Sequence, residues 1–385
     1  MQYVILAAGI GKRLRPLTET MSKAMIPVAN KPILEWTLGA IDSRDVMVVV
    51  RKDQRDIIEH FEGRCDFVYQ DRPKGTAHAL VQVKDYISDN FLAMNVDEFI
   101  TKNDMNKLEH LKELHIACHH SKMPQNYATL ELEKGKIKNI EEKPKNPKSN
   151  LVNSGIYVFD ERIFSAINKI KPSPRGELEI TDAIKFLIDN GNELLPFMLE
   201  EWQTITYPWD LLDVNEFLLQ QHGSQMGNTE IRSGAVIEEP VAIGNNAIIG
   251  PNCYIRKNSS IGSNCKIGNA VEIKNSIIME NSFVSHLSYV GDSIIGKNCN
   301  IAAGSIFANL RLDEKNVGMR INGNYVDSGH KKLGGIVGDN VKFGVNVTVM
   351  PGKKIWPNIM VPPGMTVEDD MEKQLPLKRS KKKGR

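Results

Sequence analysis

From residue 231 onward isoleucine recurs at every sixth position, at 231, 237, 243, 249, 255, 261, 267 and 273, often followed by Gly, with Asn at 246, 252, 258 and 264. Such a repeat predicts a parallel β-helix. Each hexad forms one flat side, its aliphatic residue points into the coil, and Gly or Asn takes the tight corner. After an interruption the beat returns in a new phase at Val337, Phe343, Val349, Ile355, Val361 and Val367. Each coil leaves its faces to be covered by its neighbours, so the stack has a one-dimensional core and long walls. The stretch between Met279 and Val337 breaks the phase and includes a polar segment through Lys331 and Lys332. Insertions in repeat proteins usually map to one face and often bind ligands, so a site is expected there.

Up to about Gln220 the pattern is different. Short apolar strands alternate with helical stretches, which predicts an α/β sheet with helices on its faces. Strands are expected at Tyr3 to Ala7, Val46 to Val50, Phe67 to Tyr69 and Phe91 to Asn95, and helices at Ile33 to Ile41, Gln54 to Phe61 and Thr76 to Tyr86. Ligand sites in such sheets lie at the carboxyl ends of the strands. The expected division is an α/β domain over 1–226, a β-helix over 227–370 and a basic tail over 371–385, in which six of the last eight residues are Lys or Arg. A solvated tail is the favoured reading of that charge.

The 385 residues suffice for two or three domains, each with its own core. With 49 basic against 47 acidic residues and 41% apolar residues, neither a nucleic-acid partner nor a membrane is expected. No apolar run, Val46 to Val50 included, is long enough to span a bilayer. Met1 passes directly into a strand-like segment without a basic leader, so a cytoplasmic location is expected. Five cysteines without a close pair point to reduced thiols.

The segment LAAGIGKRLRPLTETMSKAMIPVANKPILEW runs from Leu6 to Trp36. A strand ends at Ala7, and Gly9 and Gly11 let successive backbone N–H groups face one point, an anion cradle. Arg13 and Lys23 can add charge-assisted bonds to the same phosphates. No Gly-Lys-Ser/Thr follows, and Leu14 stands where a dinucleotide fingerprint would have its third glycine, so both of those motifs are excluded. The whole string resembles the sugar nucleotidyltransferase family, and the resemblance continues in order along the first half. It implies nucleotide binding by Ala8, Gly9 and Gly11. Gln70, Gly75 and Thr76, in QDRPKGTAHA, resemble the segment that reads the pyrimidine base. Asp97, in an Asn-Val-Asp that ends an apolar strand, and Asp210, after Trp209, resemble the two metal carboxylates. Glu142, in EEKP, and Asn153, in NSG, resemble sugar contacts. The implied reaction is an in-line attack by a sugar 1-phosphate oxygen on the α-phosphorus of UTP or dTTP, with Mg²⁺ held by the two aspartates.

In the second half Arg256 and Lys274 lie eighteen residues apart, which puts both on one wall if a coil has eighteen residues; surface charge is the alternative reading. The pattern VEIK at Val271 to Lys274, SHLSYVGD at Ser285 to Asp292, NIAAGS at Asn300 to Ser305, and Ala308-Asn309 with a later Lys315 resembles the acetyltransferase half of the bifunctional N-acetylglucosamine-1-phosphate uridyltransferase/glucosamine-1-phosphate acetyltransferases. That resemblance implies a left-handed β-helix and a homotrimer. It gives Arg256, Lys274 and Lys315 the sugar phosphate, Tyr289 and Asn300 the sugar, and Asn309 the acyl group. It also gives His286 the proton of the attacking amine, and Lys331 and Lys332 the phosphates of acetyl-CoA. The leading expectation is therefore an enzyme that acetylates glucosamine 1-phosphate and then makes UDP-N-acetylglucosamine. The alternatives are a glucose-1-phosphate uridylyl- or thymidylyltransferase with a purely structural β-helix, and a non-catalytic assembly subunit.

Overall fold

A computed structural model describes residues 1–374. The basic residues from Lys378 to Arg385 lie outside the described residues. Two compact units divide the chain. The first comprises Met1–Ile10, Ser22–Met25 and Ile33–Thr204, and the second comprises Gly11–Met21, Ile26–Pro32 and the chain from Ile205 on. The change of period near residue 226 thus falls inside the second unit.

The first unit is built on a nine-stranded sheet. Its centre is four parallel strands in the spatial order Asp66–Tyr69, Val46–Val50, Gln2–Leu6, Phe91–Asn95. Val4, Ile5, Val48, Val49, Val50, Leu92 and Ala93 are fully buried, as expected where both faces of a parallel sheet are covered. Helices Ile33–Gly39, Arg55–His60 and Thr76–Leu80 supply the crossovers, close to the expected spans; beyond Leu80 the third continues as a 3₁₀ turn, Val81–Tyr86. Leu151–Phe159 runs antiparallel to Phe91–Asn95 and joins the remaining strands. The order of the chain reverses between Gln2–Leu6 and Phe91–Asn95. A crevice opens there, at the carboxyl ends of both strands.

In the second unit a left-handed parallel β-helix has three walls of seven short strands each. The inward residues form one apolar column, with Ile243, Ile249, Ile255, Ile261, Ile267 and Ile273 at 0–1% exposure. Asparagines turn the corners with positive φ, among them Asn246, Asn252, Asn258 and Asn264 at 51–62°. Asn tolerates this conformation better than other side chains that carry a Cβ. The helix Asp210–His222 is tied to these coils by its buried Asn215, whose Nδ2 donates to the Asn258 carbonyl at 2.8 Å and whose Oδ1 accepts from the Ser260 hydroxyl at 2.6 Å.

The phase break is not one long insertion. Ser260 pairs with Ile277 and Ile277 with Ile294, seventeen residues per coil, where eighteen separate Ala242 from Ser260. One residue is missing at each of two equivalent corners, between Ile273 and Ile278 and between Val290 and Ile295. Both corners are built alike. Asn275 and Asp292 turn with φ of 43° and 45°, and the hydroxyls of Ser276 and Ser293 each donate to the carbonyl two residues back at 2.7 Å. The residues from Ser285 to Phe307 therefore form regular coil. The true excursion runs from Ala308 to Gly335, carries the hairpin Gly318–Ile321/Asn324–Asp327, and rejoins the stack where Ile336 pairs with Ile294.

Replacing Ile255 by Ala removes buried methyl groups from the column and is expected to cost about 3 kcal/mol in a urea titration. The same change at Ile231, half-exposed on the first coil, is expected to cost less than about 1 kcal/mol.

Candidate functional site

In the first unit Leu6 lies opposite Asn95, so Ala7 to Gly9 and Val96 to Asp97 leave the sheet side by side at the crevice. Two side chains from the next loop hold the first of these segments. Arg51 donates to the Ala8 carbonyl at 2.5 Å, and buried Gln54 donates to the Ala7 carbonyl at 3.0 Å. Lys23 and Asp97 form an ion pair, both side chains mostly shielded from solvent. Two groups expected to meet the same triphosphate thus meet each other.

Next to Asp97 stands a residue that the sequence reading missed. Glu98 is buried, accepts from Trp202 Nε1 at 2.9 Å, and has its pKa pushed up to about 8, first by burial and then by the charge of Asp97. Around it Asn153 accepts from the Gly155 N–H at 2.9 Å and donates to the Tyr157 hydroxyl at 2.8 Å. Gly155 turns with φ of 78°, and a Cβ there would come within 2.4 Å of Asn95 Nδ2. The Asn-Ser-Gly string therefore folds onto the end of the Asn95 strand. Glu142 pairs with Arg175 at 3.1 Å.

Gln70 is already engaged within its loop. Its side chain is 2% exposed, and its amide nitrogen lies 3.2 Å from the Gly75 carbonyl and 2.9 Å from His78 Nδ1. It braces the loop from inside rather than presenting an amide to solvent. Gly75 has φ of 108°, and a Cβ would strike the Leu178 carbonyl at 2.3 Å, so close approach of the chain at Leu178 already requires glycine here. The Thr76 hydroxyl accepts from the Ile180 N–H at 3.2 Å.

Gly11, Arg13 and Asp210 belong to the second unit. Gly11 opens the short turn Lys12–Leu14, and the Arg13 guanidinium lies 5.8 Å from the centre of the Tyr207 ring. Asp210 starts its helix and accepts from the N–H groups of Thr206 and Tyr207, both at 2.7 Å. Arg13 and Asp210 are thus linked through one turn.

On the β-helix the third wall, with strands Tyr254–Ile255, Glu272–Lys274, Tyr289–Gly291 and Ile306–Phe307, brings together Arg256, Lys274, Tyr289 and Asn309. Arg256 and Lys274 are one coil apart, each beside an acid: Glu272 lies 3.4 Å from Arg256, and Asp292 lies 2.7 Å from Lys274. Buried Asp292 is the organising group that sequence reasoning left without a role. It also accepts from Asn275 at 2.9 Å and from Asn309, which donates to the Tyr289 hydroxyl at 3.0 Å. Its only sequence signal is its place in a short corner. His286, exposed, and Asn300 are on the second wall. Lys315, Lys331 and Lys332 are exposed on the excursion. His330 of that excursion lies 3.2 Å from Asp213, which holds the imidazole's pKa above its ordinary value.

Glu98 binds its proton more tightly folded than unfolded, so it stabilises the fold fully below about pH 4.5 and loses that contribution as pH rises through about 8. A Glu98→Gln variant is expected to lack this decline and to exceed the wild type in thermal stability at pH 9, read by calorimetry across that range.

No helix among the described residues is long and apolar enough to cross a membrane. Residues 2–221 match the nucleotidyl transferase family model, and residues 237–365 match the GMPPB C-terminal domain. A Methanocaldococcus jannaschii protein named bifunctional protein GlmU is 40% identical over 97% of this chain and 96% of its own. A Sulfurisphaera tokodaii bifunctional sugar-1-phosphate nucleotidylyltransferase/acetyltransferase is 37% identical over 96% and 98%. A crystal structure from Bacillus anthracis, named for glucose-1-phosphate thymidylyl transfer and holding a sucrose, matches with a TM-score of 0.51 and 29% identity, over 56% of this chain and 94% of that one. The chain belongs to the nucleotidyl transferase family and, by its full-length relatives, to the bifunctional sugar-1-phosphate nucleotidylyltransferase/acetyltransferases.

Proposed function

We propose that this enzyme acetylates glucosamine 1-phosphate with acetyl-CoA and then transfers a uridylyl group from UTP to N-acetylglucosamine 1-phosphate. The observation that carries the second step is the register of Leu6 with Asn95, which sets the glycine-rich segment beside Asp97 at a strand-order reversal. In that step a phosphate oxygen of the sugar 1-phosphate bonds to the α-phosphorus of UTP. The bond to the β-phosphate bridging oxygen breaks, and pyrophosphate leaves with that electron pair. Backbone N–H groups after Ala7 receive the phosphates, and Lys23 exchanges Asp97 for a phosphate oxygen. Among the described residues no three His, Cys, Asp or Glu side chains cluster to form a protein-only metal site. Asp97 and Asp210 are nevertheless hard oxygen donors suited to a Mg²⁺ that takes its other ligands from phosphates and water, and such an ion would neutralise phosphate charge. Uracil and thymine share the pairing edge, so dTTP is the alternative donor. For Gln70 to read that edge, it would have to release Gly75 and His78.

In the first step the amine of glucosamine 1-phosphate attacks the thioester carbonyl, His286 takes the amine proton, the C–S bond breaks with its electron pair going to sulfur, and the proton held by His286 passes to that sulfur so that coenzyme A leaves as the thiol. The hydrogen-bonded set Lys274, Asp292, Asn309 and Tyr289 supports a built site, since buried networks hold side chains in one geometry. His286 and Asn300 stand on a different wall; Phe283 and Leu287 flank His286 in sequence, Leu310 and Leu312 follow Asn309 of the third wall, and all four are exposed apolar side chains, 42–104% accessible. Both facts support a homotrimer in which one copy's second wall faces another's third. A cytoplasmic setting follows from the metabolites used. The rival reading, thymidylyl or uridylyl transfer to glucose 1-phosphate over an inert β-helix, is favoured by the acids that already neutralise Arg256 and Lys274.

Two assays test this reading. With acetyl-CoA and glucosamine 1-phosphate, free thiol is expected to appear, and His286→Ala is expected to slow it by about 100-fold or more. With UTP, N-acetylglucosamine 1-phosphate and Mg²⁺, pyrophosphate is expected, and Asp97→Asn is expected to abolish it. Thiol release that ignores His286→Ala would return the β-helix to a scaffold. A Leu287→Glu/Leu312→Glu double variant is expected to sediment as a smaller species and to lose thiol release while keeping pyrophosphate release.

A further inference from the structure

Within the second unit a cavity of about 950 Å³ lies at the last coil of the β-helix, where its lining residue Thr366 stands on the same wall as Arg256 and Lys274 but several coils further on. It is bounded by the turn Lys12–Leu14 with Arg15, by the hairpin of the excursion, and by the last coil of the β-helix up to Lys373. None of its residues has a part in the reactions above except Arg13. Its volume falls in the range of pockets that take small molecules.

The lining has a distinctive chemistry. Lys12 and Arg15 supply cations from one turn and Arg320 from the hairpin, and Glu368, Asp369 and Asp370 supply carboxylates from the last coil. Between them stands Lys354, only 4% exposed. Its ammonium donates to the Arg320 carbonyl, lies 3.5 Å from Asp370 and lies 4.9 Å from the centre of the Trp356 ring. A lysine so far removed from water, beside one carboxylate and an indole face, is costly unless the structure fixes it in place. Here backbone pairing fixes it: the Lys354 carbonyl accepts from Met371 at 2.8 Å, and the Trp356 N–H donates back to the Met371 carbonyl at 2.8 Å.

We infer that this cavity is a second small-molecule site and that its ligand is a phosphorylated sugar. Arginine and lysine bind a phosphate group. Carboxylates accept hydroxyl hydrogens, and an indole face covers the C–H side of a sugar ring. A polyanion is disfavoured because the carboxylates of Glu368, Asp369 and Asp370 line the same cavity and would repel it.

The test uses the full chain and glucosamine 6-phosphate, whose phosphate is not on the anomeric carbon and so cannot take part in nucleotidyl transfer. Titration is expected to give a saturable change in tryptophan fluorescence that disappears in Trp356→Phe. Arg320→Ala, an exposed change that leaves the backbone acceptor of Lys354 intact, and Lys354→Met are each expected to weaken binding about tenfold. Asp97→Asn and His286→Ala are expected to leave it unchanged, so a failure of either catalytic assignment is read separately from this one. The site is overturned by the absence of a saturable signal, by a signal that survives Trp356→Phe, or by an affinity that both cation variants leave unchanged. Inorganic phosphate binding as tightly as the probe would overturn the sugar assignment, and tighter binding of UDP-N-acetylglucosamine would make the ligand a nucleotide instead.

Discussion

Parallel pairing organises both units. A parallel strand cannot turn back on itself through a hairpin, and every buried backbone group must still find a partner. The first unit meets this demand with helical crossovers over the sheet faces. That leaves the carboxyl ends of Gln2–Leu6 and Phe91–Asn95 open side by side, and polar residues fill the opening. The second unit meets it with corners. Each short strand bonds to the one a coil away, so any residue on a wall has a neighbour directly above or below it.

The seventeen-residue coils show how little is needed to gather polar side chains on one wall. Taking one residue from two equivalent corners leaves the inward column intact, since Ile278 and Ile295 still pair with their neighbours. It also draws Lys274, Asn275 and Asp292 into tight turns held by Ser276 and Ser293. Lys274 and Asp292 are thereby positioned by backbone geometry rather than by long flexible stems. Charged partners fixed in this way lose less freedom on meeting a ligand.

Much of this was legible in the residues themselves. The six-residue beat gave the β-helix, and the Val46–Val50 and Phe91–Asn95 strands came out at their expected bounds because continuous apolar runs report burial on both faces. The handedness and the site roles came from resemblance. What stayed hidden has a physical reason in each case. Glu98 reads as an ordinary acid beside Asp97 until Trp202, more than a hundred residues away, closes over it. Asp292 gains its importance from a coil neighbour, Lys274, and not from its own surroundings in sequence. The phase break looked like an insertion because a lost residue and an added segment disturb a repeat in the same way. Gln70 was read by its hydrogen-bonding capacity, which the loop around Gly75 and His78 uses internally.

The segment from Ala308 to Gly335 departs from the stack and returns to it with the next coil in register, Ile294 against Ile336. To the ladder it is invisible: the hydrogen bonds below and above it are those of an uninterrupted solenoid. Its exposed tip at Asn322 to Asn324 can change without disturbing the ladder, whereas buried Val317, Met319 and Leu333 and the Arg320 carbonyl that receives Lys354 tie the rest of it to the fold. A lineage can rebuild the chemistry displayed along one edge of the prism, and with it the acceptor or effector recognised, while the load-carrying part of the molecule is inherited unchanged.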